Sequence, residues 1–280
     1  MKKKKHATER LEPNVFGEGM TEHLHRYAVA IELCKDKIVL DIASGEGYGS
    51  NLLAGVASKV VGVDISAKTI KAAKEKYASK RNNLEFMEGR AENIPTDKKM
   101  FDVVVSFETI EHHDKHQEMM NEIKRVLKPG GLLIISSPDK FFYSDKPGTK
   151  NPFHVKELYK NEFQDLLKNN FKNVGLYRQK AFFCSVIVHD DNSSSHKSAK
   201  FYEGNYSSVS VNNDIESVYL IGLASDAYFQ PLELSLFKDY NFVKYMRKKF
   251  ESSTRFQFGN FILNPIKFFK AKFAKKKGHS

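Results

Sequence analysis

No apolar run in this 280-residue sequence approaches the ~20 residues that a helix needs to cross a bilayer. The opening MKKKK leads into the polar HATERLEPN, which does not fit the apolar core of a secretory signal, so a cytoplasmic location is expected. Cysteine is almost lacking. Cys34 and Cys184 stand far apart without metal-ligand spacing, which excludes a disulfide framework, fits a reducing compartment and predicts two buried apolar thiols. Internal repeats are lacking too, which excludes a solenoid or propeller.

The chain does have positive charge, and it is unevenly placed. Of the net +11, Lys2 to Lys5 contribute +4, and Tyr245 to Ser280 contribute +9 through ten Lys or Arg against Glu251 alone. Residues 6–244 are left at −2, so the body is nearly neutral and both ends are basic. A nucleic-acid groove across the body is therefore not expected; basic ends suit an anionic surface or remain solvated.

A hydrophobic content of 41% supports one sizeable core. Short β-branched runs alternate with helical segments from Lys37 to Pro138: KIVLDIA (37–43), KVVGVDI (59–65), LEFMEG (84–89), FDVVVSFE (101–108) and GLLIISSP (131–138). Helices are predicted from Tyr48, over 67–80 and over 114–127, the last stopped by Lys128, Pro129 and Gly130. The pattern is α/β, a doubly wound, Rossmann-like, mostly parallel sheet covered on both faces. Beyond Pro138 a helix over 154–169, a strand over 173–182, a flexible insertion (190–215) and a core strand over 218–224 are expected. The domain reading is a basic segment and helical lid (1–35), a catalytic domain (36–240) and a basic aromatic C-terminal tail (241–280).

Three features fall at predicted strand ends, the edge where such sheets bind ligands. Asp41 precedes a run of small residues, Ala43, Ser44, Gly45, Gly47 and Gly49, that leads into a helix; such a loop brings backbone amides close to a ligand. Asp64 ends the second strand, where a carboxylate can accept from ribose hydroxyls. GRAENIP (89–95) follows the third strand, with Ala91 and Glu92 placed to flank an adenine ring. The glycine spacing departs from G-x-G-x-x-G because Ser50 stands at the last position, which favours a ligand without a pyrophosphate over a dinucleotide.

VLDIASGEGYG, VVGVDIS, AENIP, FDVVVSFETIEH and RVLKPGGLLIIS resemble, in order and spacing, class I S-adenosylmethionine-dependent methyltransferases. The flanks ERLEP, EHLHRY, NPFHVKELY and YLIGLAS resemble those among bacterial polysaccharide and O-antigen biosynthesis proteins. The resemblance implies S-adenosylmethionine as cofactor. Asp41, Ala43, Ser44, Gly45 and Gly47 would form its loop around the methionine part, Asp64 would hold the ribose, and Ile65 would pack on adenine. Ala91 and Glu92 would lie at the adenine edge, and Ser106, Phe107 and Glu108 behind the sulfonium. Two positions depart from the family pattern: Ala43 replaces a glycine, a mild change of one methyl, and Arg90 stands where many relatives have an acid, with Glu92 as a substitute.

The implied reaction moves a methyl group to an acceptor oxygen or nitrogen, and a sugar hydroxyl needs a base, for which histidine suits neutral pH. His112 in ETIEHHD and His154 in NPFH are the candidates, the latter read as starting a helix. His23, His25 and Tyr27 lie where relatives place a helix over the cofactor, and are expected to meet substrate; Glu22, His25 and Arg26 share one helix face. The predicted strand ends show no paired acids with histidine at close spacing, so no metal is expected, and HHDKH (112–116) reads as a helix start. In the tail, Ile266, Phe269 and Phe273 recur among lysines at helical spacing, which suits a helix on an anionic membrane surface.

These features point to a methyltransferase of a sugar, sugar nucleotide or lipid-linked glycan, with a glycan or small-molecule acceptor as partner and no nucleic acid. Peripheral contact with the inner face of the membrane through the tail, and a glycosyltransferase partner, complete the expectation. The alternatives are a quinone-like or other small acceptor, and a non-catalytic cofactor-binding partner of a glycosyltransferase.

Overall fold

The computed structural model describes residues 18–182, 184–185, 200–239, 247–248, 250–254, 256, 258 and 262. The basic start, most of the tail with its Ile266–Phe273 pattern, and residues 190–199 of the expected insertion lie outside the described residues.

Helix α1 (Glu18–Cys34) leads into β1 (Ile38–Ile42), α2 (Tyr48–Leu53), β2 (Lys59–Asp64), α3 (Ala67–Lys76), β3 (Leu84–Glu88) and β4 (Phe101–Ser106). Then come α4 (His116–Val126), β5 (Leu127–Pro138), α5 (Lys160–Asn170), β6 (Asn173–Gln179), a ribbon of β7 (Tyr202–Gly204) and β8 (Val209–Val211), and β9 (Tyr219–Ser225). Seven strands form one sheet in the order β3-β2-β1-β4-β5-β9-β6. β1 to β5 pair in parallel, and β9 runs antiparallel to both β5 and β6. The doubly wound, mostly parallel α/β sheet expected from the sequence is therefore present.

Its central strands carry continuous apolar runs because both faces are covered. On one face Met119, Met120 and Ile123 of α4 and Phe163 and Leu167 of α5 pack on Leu40, Val104 and Ile135. On the other, Ala30 and Cys34 of α1, Leu53 of α2, and Ile70 and Ala73 of α3 pack on Val39, Val60 and Val105. The right-handed crossovers bring the loops after β1, β2, β4 and β5 to one edge.

Local chemistry corrects several expectations. The helix predicted from His154 starts at Lys160 instead. Leu158 pairs as a bridge with Asp139, which holds that segment extended, and the Glu162 carboxylate accepts from Tyr159 N at 2.9 Å to cap the helix there. Helix α4 starts at His116 and ends at Val126, and β5 starts directly at Leu127; its added length is absorbed by an irregular register between Phe101 and Val103. The helix after β2 stops at Lys76 and continues to Lys80 only as a separate 3-10 turn. Strand β6 ends at Gln179, three residues short of the predicted Phe182. Part of the expected flexible insertion forms the β7–β8 ribbon. Cys34 is buried as expected, but Cys184 is exposed. Among the described residues no helix is long and apolar enough to cross a membrane.

Candidate active site

The loop after β1 turns by taking left-handed backbone at Ala43 (φ 56°), Gly45 (φ 51°) and Gly47 (φ 80°). At Gly47 an added Cβ would lie 2.8 Å from the Phe86 ring and 2.9 Å from Ala73 Cβ, so glycine is needed for both conformation and space. At Gly45 the space is open: the nearest atom to an added Cβ is Ala43 O at 4.0 Å. The loop is pinned from below, because Gly45 N donates to Asp64 Oδ2 at 3.0 Å and Ser66 N to Asp64 Oδ1 at 2.9 Å. Asp64 thus sits oriented at the tip of β2. Next to it, the apolar side chain of Ile65 is 54% exposed.

Asp41 is fully buried behind the loop. Its carboxylate accepts from Ser50 Oγ at 2.6 Å and, less closely, from Tyr27 Oη at 3.3 and 3.4 Å. Burial pushes the carboxyl up to about 7; the bonds from Ser50 and Tyr27 pull it back, and the charge of Asp64 adds to the rise.

After β4 the chain takes another left-handed residue, Glu108 (φ 48°). Ser136 of β5 locks it from two sides: Glu108 N donates to Ser136 Oγ at 3.0 Å, and that hydroxyl donates to Glu108 Oε1 at 2.6 Å. Arg26 of α1 approaches the same Glu108 oxygen at 3.7 Å and donates to Gln179 Oε1 at 2.8 Å. Its guanidinium lies 4.9 Å from the centre of the Tyr219 ring. The shared face of Glu22 and Arg26 therefore packs inward, and the Glu22 carboxylate accepts from Ala181 N at 3.0 Å.

The three lid residues expected to meet substrate separate. Tyr27 is buried, edge-on to Phe107 at 5.1 Å and bonded to Asp41, so it supports the loop after β1 instead of facing outward. His23 Nδ1 lies 2.9 Å from Tyr48 Oη, with burial and the Arg26 charge lowering its pKa well below the usual imidazole value. His25 turns toward Ser235 Oγ at 2.9 Å and the Phe237 ring, because the helical repeat carries it away from the loop after β1.

His112 and His154, far apart in sequence, meet with ring centroids 5.2 Å apart. Backbone bonds bring them together: Val155 N and Lys156 N both donate to Glu111 O, at 2.8 and 3.1 Å. Sequence reasoning missed Glu111, whose carboxylate joins the two rings in a group that can hold a metal ion. It also missed Glu157, although the His154-x-x-Glu157 spacing was a usable signal. Ala91 packs into the core layer, and Glu92 stands between Arg90 at 3.7 Å and Lys115 at 3.5 Å.

The residues present fit the cofactor implied by the sequence. Ser44 Oγ and Ser106 Oγ are buried without a hydrogen-bond partner among the described residues, which is costly unless a ligand supplies one. With the open space over Gly45, the oriented Asp64 and the exposed Ile65, they line a cradle suited to an amino acid, a ribose and a flat base.

The strain at Ala43 is a testable detail. The sequence suggested that alanine here is mild for reasons of space, whereas its cost is conformational, roughly 1–2 kcal/mol for a left-handed residue with a Cβ. Glycine's greater unfolded-state entropy offsets about 0.4–1 kcal/mol of that. Ala43→Gly is expected to stabilise the protein by about 0.5 kcal/mol in urea unfolding; a loss above ~1 kcal/mol would show that the methyl group makes a needed contact.

Residues 40–135 match the family model described as "Methyltransferase domain". The "Probable S-adenosylmethionine-dependent methyltransferase" of Mycolicibacterium smegmatis is 35% identical over 136 residues, 48% of this chain and 51% of that protein. The "Demethylmenaquinone methyltransferase" of Chlorobaculum tepidum is 37% identical over 101 residues, 36% of this chain and 40% of that protein. The chain thus spans about half, or less, of the length of these relatives. A solved SAM-dependent methyltransferase from Thermotoga maritima shares the fold with a TM-score of 0.51 and 18% identity, over 74% of this chain and 91% of that one. Residues 40–135 are thus similar to a methyltransferase domain, and a relative of this chain is named for S-adenosylmethionine.

Proposed function

We propose that this chain, built on a class I methyltransferase domain, transfers a methyl group from S-adenosylmethionine to a hydroxyl of a small acceptor. The observation that carries the reading is the cradle after β1, open over Gly45, with Asp64 oriented beside it and the hydroxyls of Ser44 and Ser106 left for a ligand. When bound, S-adenosylmethionine supplies a methyl group activated by its sulfonium. The protein's share is to bind and orient. Asp64, oriented by Gly45 N and Ser66 N, is placed at the tip of β2 to accept from ribose hydroxyls, and Ile65 offers an apolar surface to the base. Glu108, at the end of β4, is fixed by Ser136 and Arg26. Holding two reactants in line can contribute ~7–11 kcal/mol.

The acceptor in this reading is a sugar, sugar nucleotide or lipid-linked glycan, for which the flanks EHLHRY and NPFHVKELY are the support. The basic tail would then meet an anionic membrane surface near such an acceptor. A quinone-like acceptor is the second reading, favoured by the likeness to a relative named for demethylmenaquinone.

Calorimetry should show S-adenosylmethionine binding more tightly than a nicotinamide dinucleotide. Asp64→Ala should weaken it by roughly 10–100-fold, the worth of hydrogen bonds to a charged group. Tighter binding of the dinucleotide would remove the reading. Incubation with sugar nucleotides and with hydroquinones, followed by mass spectrometry for one added methyl group, separates the two acceptor classes.

A further inference from the structure

The proton positions on the two facing histidines follow from their partners. His112 Nδ1 lies 3.1 Å from Phe153 O; a carbonyl only accepts, so Nδ1 carries the proton and Nε2 a lone pair. His154 Nδ1 lies 2.5 Å from Glu157 Oε1, and its Nε2 accepts from Asn151 Nδ2 at 3.0 Å. The Asn151 amide orientation is fixed in turn, since its oxygen accepts from Phe153 N at 3.1 Å. Both Nε2 atoms are therefore donors of electron pairs. His112 Nε2 faces the Glu111 carboxylate at 3.9 Å, and one ligand atom from each of Glu111, His112 and His154 lies within 4.8 Å of the others.

We infer that Glu111, His112 and His154 form a divalent-metal site whose open positions hold the acceptor's hydroxyl oxygens. Three arguments support this. First, two imidazoles and one carboxylate are a common set for borderline first-row ions such as Zn²⁺, with positions left for substrate, and are less suited to Mg²⁺ or Ca²⁺. Second, each ring nitrogen that does not face the group is held by an acceptor, a backbone carbonyl for His112 and the Glu157 carboxylate for His154, the arrangement that orients metal-ligating histidines. Third, the exposures fit a site closed below and open above: the side chains of Glu111, His154 and Glu157 are 1%, 5% and 9% exposed, whereas that of His112 is 36% exposed. Bonds of ~2.0–2.2 Å to one ion require the donors to close in by about 1 Å, with Asn151 Nδ2 giving up its bond to His154.

The ion's role rests on the methyl-transfer reading. A hydroxyl held on a divalent ion gives up its proton far more readily than in water. That proton passes to solvent over the exposed side of His112, and the oxygen keeps the electron pair with which it forms the new C–O bond. As that bond forms the C–S bond breaks, and its electron pair returns to sulfur. A single ion can take two neighbouring oxygens, so the favoured acceptors carry vicinal hydroxyls, as sugars and catechol-like rings both can.

The full chain, stripped with chelator, loaded with Zn²⁺ and freed of excess by gel filtration, should retain about one ion by elemental analysis. His112→Ala/His154→Ala should retain almost none while still binding S-adenosylhomocysteine, which verifies its fold. Glu157→Gln, a milder change that keeps all three ligands, should weaken Zn²⁺ binding by roughly 10–100-fold. The Co²⁺ form of the unaltered protein should show ligand-field absorption in the visible, a readout that needs no variant. Retention of only trace Zn²⁺ by a protein that binds S-adenosylhomocysteine, or equal Zn²⁺ retention by the double variant, overturns the site. Zn²⁺ binding by a protein that ignores S-adenosylhomocysteine supports the site and overturns the methyl-transfer reading.

Discussion

Gly49→Ala is expected to destabilise the protein by about 3 kcal/mol, at the upper end of overpacking costs, although it replaces a helical glycine with the best helix former. Gly49 lies in α2, and its backbone would accept alanine. The obstacle is Tyr27: an added Cβ would sit 2.0 Å from its Cζ and 2.2 Å from its Oη. The ring has little room to move, because it packs edge-on against Phe107 at 5.1 Å and Tyr48 at 5.7 Å and its hydroxyl is bonded to Asp41. Lid helix and cofactor loop are thus interlocked through one glycine. A double-mutant cycle isolates the clash. Tyr27→Ala alone should cost ~3–5 kcal/mol for the lost ring. In that background Gly49→Ala should be neutral or gain up to about 1 kcal/mol, since only its helix propensity remains. Urea unfolding of the four proteins gives the coupling energy; equal costs of Gly49→Ala in both backgrounds would rule out Tyr27 as the obstacle.

The same contact explains where the sequence was and was not informative. Continuous β-branched runs such as KVVGVD announce buried parallel strands, and the sheet followed. The grouping of Asp41, the glycines and Asp64 at one sheet edge was legible because they stand next to one another or at strand ends. Tyr27 was legible only as a lid residue. What it touches depends on how α1 crosses the sheet, which no local pattern encodes. The convergence of Glu111, His112 and His154 was hidden for a similar reason: two backbone bonds to Glu111 O draw the loop after β5 onto the turn after β4. His154 looked like a helix start because NPFH precedes a helical pattern, yet the bridge of Leu158 to Asp139 and the cap on Tyr159 delay the helix. Spacing rules look for ligands close in sequence and so overlooked a set that the sheet edge assembles.

Asp41→Asn is expected to alter the pH dependence of stability more than any other conservative change. Burial raises the folded carboxyl to about 7, against ~4 for an unfolded aspartate. A raised acid stabilises the folded state fully below its unfolded value, and that contribution is lost as pH rises through the window from about 4 to about 7. At 1.36 kcal/mol per unit, moving the cofactor-free protein from pH 5 to pH 8 removes about 2–3 kcal/mol at this one site. Asparagine does not titrate and can still accept from Ser50. The stability difference between variant and unaltered protein, measured by urea unfolding at several pH values, should therefore shift toward the variant by about 2–3 kcal/mol between pH 5 and 8 and level off above. Other groups titrate alike in both proteins and cancel, so parallel curves would show that Asp41 is ionised throughout. A carboxyl poised in this way is costly to the empty fold and useful to a loop that must receive a cationic ligand. S-adenosylmethionine is such a ligand, and its affinity for the unaltered protein should rise through neutral pH, whereas Asp41→Asn should bind it with a flat profile.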